Sequence, residues 1–226
     1  PGPLGRAGGH PDRAAELVDQ RRRLHAGPDE VSHRIEGGGP LLWDREPGHP
    51  LFGTAVVAMT DVAVRDRGLA IRTPVPVSID LLGSPTMLVG DRSLQLAVAR
   101  HLILSLAATI GPDELSLEVR SGAEDLRFVD RLPHTGAAGT HRLVIVDRPA
   151  GHDRRVPPGL HDGDTSFLVL TGANDALPTN ADVVSVIDEA TVNLIGAEGT
   201  GHVEGATPVG YAPSMAAELV RSLAVR

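Results

Sequence analysis

The chain has 226 residues, 41% of them hydrophobic, which is enough for one full domain with an extension and too many for a disordered polypeptide. Aromatic residues make up only 2%, so the core must be aliphatic, of the kind built by sheets covered with helices. A formal net charge of −8 offers no broad basic field for nucleic acid; the absence of cysteine excludes disulfides and thiolate chemistry; and all 21 basic residues are arginine, which excludes any lysine-based step.

The first nine residues, PGPLGRAGG, are neither a signal nor a transit peptide, and the chain reads as a piece of a longer protein. Residues 12–24, DRAAELVDQRRRL, have helix-forming composition with a basic run at the C-terminal end, where the helix dipole favours it. This is a solvated surface helix, or a stalk whose basic end lies near anionic head groups. The run Gly37, Gly38, Gly39, Pro40 reads as a hinge, which divides the chain into residues 1–40 and a domain over 41–226.

Two extended stretches, TAVVAMT and TPVPVSIDLL, flank a charged turn at 65–68 and suggest a small N-terminal β layer. From residue 85 the rhythm becomes strand 86–89, helix 92–109, strand 115–120, short helix 123–131 and strand 142–147. This βαβαβ pattern predicts a parallel sheet with crossover helices. The helix over 92–109 is apolar on most of its circumference, most densely at Leu94, Val98, Leu102, Ile103 and Leu106, and should be buried; Gly111 and Pro112 stop it. Further strands are expected at 166–171, 182–187 and 191–196, the last two as a hairpin, followed by a final helix from Ser214 as N-cap to Leu223. No run of about 18 apolar residues occurs, because Arg100 and His101 interrupt the longest candidate, 94–110.

The strand-to-helix turn VGDRSLQL stands where a phosphate-binding loop would stand. Such a loop needs clustered glycines, a Lys for the β/γ oxygens and a Ser/Thr for Mg²⁺. Here Gly90 is followed by Asp91, Arg92 and Ser93. Asp91 would repel a polyphosphate and is better explained as a helix N-cap, and the planar fork of Arg92 replaces a compact ammonium poorly. The strand LVIVD ends in Asp147, but the next residue is Arg148 rather than a second acid, so no general base stands at the expected place. Gly90, Asp91, Arg92, Ser93, Asp147 and Arg148 therefore read as a vestigial nucleotide site, with no catalytic residue, metal or cofactor expected.

Other motifs carry less. GTGHVEG at 199–205 reads as a turn, and HDGDT at 161–165 as an acidic surface turn rather than a metal site, since no fourth ligand is in sequence view. Neither G-x-S-x-G nor H-E-x-x-H occurs. Trp43 reads as the core anchor of its own loop, and His134 as a helix-terminating residue bonded to a backbone group.

The segment LLWDREPGHPLF, with Leu42, Trp43, Asp44, Arg45, Pro47, Pro50 and Phe52, resembles the LWERRPxDPDF stretch of the FtsK/SpoIIIE-type membrane ATPases of type VII secretion, the EccC/EssC proteins. IGPDELSLEV resembles their HSPDDLRLAV. DLRFVDRLPHT, with Leu132, Pro133 and His134, is similar to WxWLKWLPH, although Leu126 and Phe128 replace the paired tryptophans, and LVIVD matches the strand that follows. The likeness covers residues 41–150, with weaker agreement through APSMAAELVRSLA. It implies an α/β, P-loop NTPase-like (RecA/FtsK-like) domain: a mainly parallel sheet flanked by helices, with a small N-terminal β layer and a helical extension. It further implies a position between the membrane helices and the first hydrolysing domain, at the cytoplasmic face of the bacterial inner membrane. The 12–24 helix would be the tail of the stalk, membrane contact would come through helices outside this chain, and the partners would be other domains of a ring-forming parent and membrane components of the secretion complex. The expected function is a catalytically silent coupling and assembly domain. The alternative is a nucleotide-binding regulatory or motor domain of an FtsK-like DNA translocase.

Overall fold

The computed structural model describes residues 16, 18–20, 27–66, 69–120, 124–147, 163–172, 180–196 and 201–226, with the backbone alone for 64–66 and 69–71. Three helices are named here: α1 (Pro28–Gly37), α2 (Arg92–Thr109) and α3 (Pro213–Ala224). The strands are β1 (Thr54–Asp66), β2 (Leu69–Asp80), β3 (Thr86–Gly90), β4 (Leu115–Arg120), β5 (His141–Asp147), β6 (Thr165–Thr171), β7 (Asp182–Val186), β8 (Val192–Ile195) and β9 (His202–Pro208). They form one sheet in the order β2-β1-β9-β8-β7-β3-β6-β5-β4.

The parallel half, β7-β3-β6-β5-β4, follows the predicted βαβαβ rhythm. Its strands are continuous Val/Ile/Leu runs, as sheets buried on both faces require. In β3 the alternation is direct: Leu88 faces the helices, while Met87 and Val89 join Val144, Phe167, Val169 and Val183 on the opposite face. All three helices bury their apolar sides against the first face, with Val31 and Ile35 of α1 and Leu219, Val220 and Leu223 of α3 meeting α2 there. Leu102, Ile103, Leu104 and Leu106 of α2 are fully enclosed.

Several expectations need correction. The sheet is mixed rather than mainly parallel, because β1, β2, β8 and β9 pair antiparallel with their neighbours. The N-terminal β layer is not separate: β9 pairs with β1 at Ala58 and Met59 and joins the hairpin to the main sheet. Residues 202–208, half read as a turn, form that connecting strand. Gly205, with φ 64, and a register shift in the β8 pairing supply the irregularity that resembled a loop in sequence. The helix expected over 123–131 is two 3-10 turns, Glu124–Leu126 and Val129–Arg131. The N-cap of α3 is Ala212, with Pro213 opening the helix, rather than Ser214.

The glycine run at 37–39 is not extended chain. It ends α1, where Gly38 adopts the left-handed conformation and its N–H donates to the Arg34 carbonyl at 3.1 Å. Since Val31 and Ile35 lie in the core of α2, residues 28–37 pack with the domain that follows. Of the predicted 12–24 helix, Glu16 and residues 18–20 are helical, and Val18 packs on Val75 of β2; the remainder lies outside the described residues.

A seam of polar groups runs where α1, α2 and α3 meet. The Tyr211 hydroxyl donates to the Pro28 carbonyl at 2.8 Å, and its ring lies edge-on to His101 with centroids 4.9 Å apart. Burial pushes the His101 pKa down to about 4 and that of Tyr211 up to about 12.

Two predictions follow from this packing. Leu102→Ala should cost about 2–5 kcal/mol in urea unfolding. For His101 the unfolded chain takes up a proton near pH 6.5 and the folded chain only near pH 4, so its contribution to stability is complete above 6.5 and falls as the pH drops through that window, by up to about 1.4 kcal/mol per unit. Urea melts of His101→Phe between pH 4 and 7 should show a shallower decline than the unaltered protein, leaving the smaller contribution of His134, whose pKa burial also lowers.

Candidate functional site

The candidate site lies outside the carboxyl ends of β3, β5 and β6, where chain direction across the sheet reverses and α/β sheets bind their ligands. β3 ends at Gly90, whose φ is 141; a Cβ there would lie 2.1 Å from the Val186 carbonyl oxygen of β7, so glycine alone fits. Asp91 then caps α2. Its carboxylate accepts from the Ser93 N–H at 2.9 Å and from the Ser93 hydroxyl at 2.6 Å, and these bonds, the hydroxyl's first, hold its pKa below the ordinary carboxylate value.

Arg92 follows and reaches across the end of β6 to β5. Its guanidinium grips Asp147 with both terminal nitrogens, one bond measuring 2.6 Å between Nη2 and Oδ2. The Asp147 side chain is 0% exposed and that of Arg92 35% exposed; Asp125, from the first 3-10 turn, stands 3.6 Å from the same guanidinium. One turn on, the Gln95 side-chain amide donates to the Leu88 carbonyl at 3.1 Å and to that of Thr171, joining β3 to β6. The first turn of α2 therefore ties together the ends of three strands. Sequence reading missed Gln95; its signal was a polar residue on an otherwise apolar helix face.

These residues do not fit a polyphosphate with Mg²⁺. The N-terminus of α2 carries a carboxylate, the arginine in the turn is engaged by Asp147, and the chain holds no lysine. The structure brings Gly90, Asp91, Arg92, Ser93 and Asp147 together; Arg148 lies outside the described residues. Gly163–Thr165 of the HDGDT stretch are described and His161 and Asp162 are not; among the described residues no cluster of three potential metal ligands exists.

The motif residues gather at the other end of α2. The Trp43 N–H donates to the Ala108 carbonyl at 3.0 Å, the Trp43 indole to Ala107 at 2.9 Å and the Arg45 N–H to Thr109 at 2.9 Å. These satisfy three carbonyls that the helix itself leaves open. Trp43 adopts φ 58, a conformation rare for a bulky side chain, to reach them. The Arg45 guanidinium is buried against the Leu51 and Thr54 carbonyls at 3.1 and 2.9 Å. His134 is enclosed, donates from Nε2 to the Ile110 carbonyl at 2.8 Å and lies edge-on to Trp43, while Leu132 enters the core. Phe52 packs edge-on to His141, Pro133 is half-buried, and Pro47 sits on the exposed loop between Arg45 and Phe52. Trp43 and His134 thus act as anchors, as their sequence context predicts.

Arg92→Ala should destabilise the protein by about 1–3 kcal/mol, because it removes the bidentate partner of a buried carboxylate. Adding Asp147→Asn should recover part of that loss, and a double-mutant cycle by chemical unfolding reads the coupling directly. Gly90→Ala should destabilise more than either, since backbone must move to admit the methyl group.

No protein-family model matches the sequence, and no curated protein does. Among solved structures, EssC (ATPases 2 and 3) from Geobacillus thermodenitrificans is similar with a TM-score of 0.55 at 11% identity, over 82% of this chain and 50% of that one. The cytoplasmic domain of the Thermomonospora curvata type VII secretion ATPase EccC gives a TM-score of 0.47 at 10% identity, over 69% of this chain and 26% of that one. The chain thus spans between a quarter and a half of the length of these proteins. It has an α/β fold shared with part of the ATPase region of EssC.

Proposed function

We propose that this chain is a non-hydrolysing, P-loop-like coupling and assembly domain of an FtsK/SpoIIIE-type secretion motor of the EccC/EssC kind. The observation that carries the reading is the Arg92–Asp147 pair, which spends the only cation of the phosphate-loop turn on the carboxylate that would otherwise organise a metal. The shared fold with EssC supports the motor as the parent. The domain would transmit force between a membrane anchor and hydrolysing domains through its rigid sheet and the clamped helix α2, at the cytoplasmic face of the membrane and within a ring-forming parent. Among the described residues no helix is long and apolar enough to cross a membrane, so in this reading the anchor lies in other segments.

The test is calorimetric titration of the chain with ATP and Mg²⁺. No saturable heat is expected at millimolar nucleotide, whereas binding in the micromolar range overturns the reading in favour of a regulatory nucleotide domain. In the parent motor, the Arg92→Ala/Asp147→Asn pair should reduce transport only as far as the domain's lost stability does. A loss comparable to that of a phosphate-loop lysine in a hydrolysing domain also overturns it.

A further inference from the structure

Arg45 is only 5% exposed, yet among the described residues it makes no ion pair. The carboxylates of Glu30 and Asp44 are both taken by Arg34, each at 2.9 Å. Nη1 of Arg45 serves two carbonyls, those of Leu51 and Thr54, which leaves Nε and Nη2 without an acceptor among the described residues. A buried guanidinium has five N–H donors, and each needs a partner. Its free nitrogens are not sealed in by packing: the sealed polar side-chain atoms without a partner among the described residues are Thr86 Oγ1, His101 Nδ1 and His134 Nδ1.

The space they border is small and polar on two sides. Arg45, Thr54, Ser105 and Thr109, together with Val31 and Val56, line a cavity of about 10 Å³, which is the room that the centre of one water molecule needs. The two hydroxyls come from the last turns of α2. Ser105 Oγ donates to the His101 carbonyl at 2.8 Å and Thr109 Oγ1 to the Ser105 carbonyl at 2.8 Å. Their protons are therefore committed to the helix, and each oxygen keeps a lone pair to offer. The cavity thus has donors on the Arg45 side and acceptors on the α2 side.

We propose that this cavity is an internal hydration site for a single water, which accepts from the Arg45 guanidinium and donates to the hydroxyls of Ser105 and Thr109. Water fits because it both accepts and donates, as the two sides require. A halide has no proton to give the hydroxyls, and the guanidinium repels a metal cation. Entry needs no open channel, since Glu46 to Pro50, directly after Arg45, are exposed and local opening there admits a water. The bridge makes Arg45 a positioning residue for three elements. Its side chain holds its own loop at Leu51 and β1 at Thr54, while its backbone N–H and the water hold α2 at Thr109. This goes beyond the coupling role and is independent of whether nucleotide binds at Gly90.

The test is a high-resolution crystal structure of the chain grown in sodium bromide, joined to water–protein NOE and ROE spectra of the chain in solution. Expected is one density peak about 2.7–3.2 Å from an Arg45 guanidinium nitrogen and from both hydroxyls, with no bromine anomalous signal. In solution, water should give cross-peaks to the Arg45 guanidinium protons with opposite signs in NOE and ROE, as a long-held water does and proton exchange does not. Thr109→Ser, which keeps the hydroxyl, should retain these cross-peaks, and the pair Ser105→Ala/Thr109→Val should lose them. No density in the cavity, a bromide peak there, density that touches Arg45 but neither hydroxyl, absence of the opposite-sign cross-peaks, or cross-peaks undiminished in the double variant each overturns the proposal. The first four readings use the unaltered chain, so they decide the matter even where the double variant fails to fold.

Discussion

The structure depends on the need to satisfy both ends of a helix buried along almost its whole length. α2 carries 18 residues through the core between the sheet and its helical neighbours. A buried helix leaves N–H groups at one end and carbonyls at the other that water cannot reach, and each must find a partner within the protein. At the start, Asp91 receives the Ser93 N–H, while the side chains of Arg92 and Gln95 donate to the strand ends and join the helix to them. At the finish, Trp43, Arg45 and His134, far apart in sequence, supply donors to successive carbonyls. The segments on either side of α2 are held in place because the helix requires them.

The same requirement explains the chemistry of the turn. Arg92, Asp147 and Gln95 bond one another or the strand ends, so the crevice at the switch point is occupied by structural interactions. A bidentate arginine–carboxylate pair with one partner fully buried is rigid and resists exchange for an outside anion. On the proposed reading, the machinery that in a motor would grip and release phosphate has become a strut between strands, which suits a domain that carries load without cycling.

The antiparallel wing is built differently. The β1–β2 hairpin extends well past the short pairing of β1 with β9, and β2 is the outermost strand of the sheet. Pro74 and Pro76 lie two residues apart, so both missing N–H groups fall on the same edge, where no strand among the described residues pairs with β2. They also blunt that edge against pairing with another chain.

The parallel half of the sheet, the buried helix, the role of Asp91 as a cap and the anchoring of Trp43 and His134 were legible in the chain, because apolar periodicity and cap chemistry are local properties. The glycine-rich stretches misled in the opposite sense: Gly38 and Gly205 each looked like a break, whereas one ends a packed helix and the other bends a strand that completes the sheet. The lack of lysine, the single glycine of the turn and the missing second acid after Asp147 were likewise determined by sequence alone. Only the tertiary structure decided that Arg92 closes on Asp147. The charge of an arginine is written in the sequence, but its counter-charge is selected by which strand ends and turns the fold brings within reach of the guanidinium.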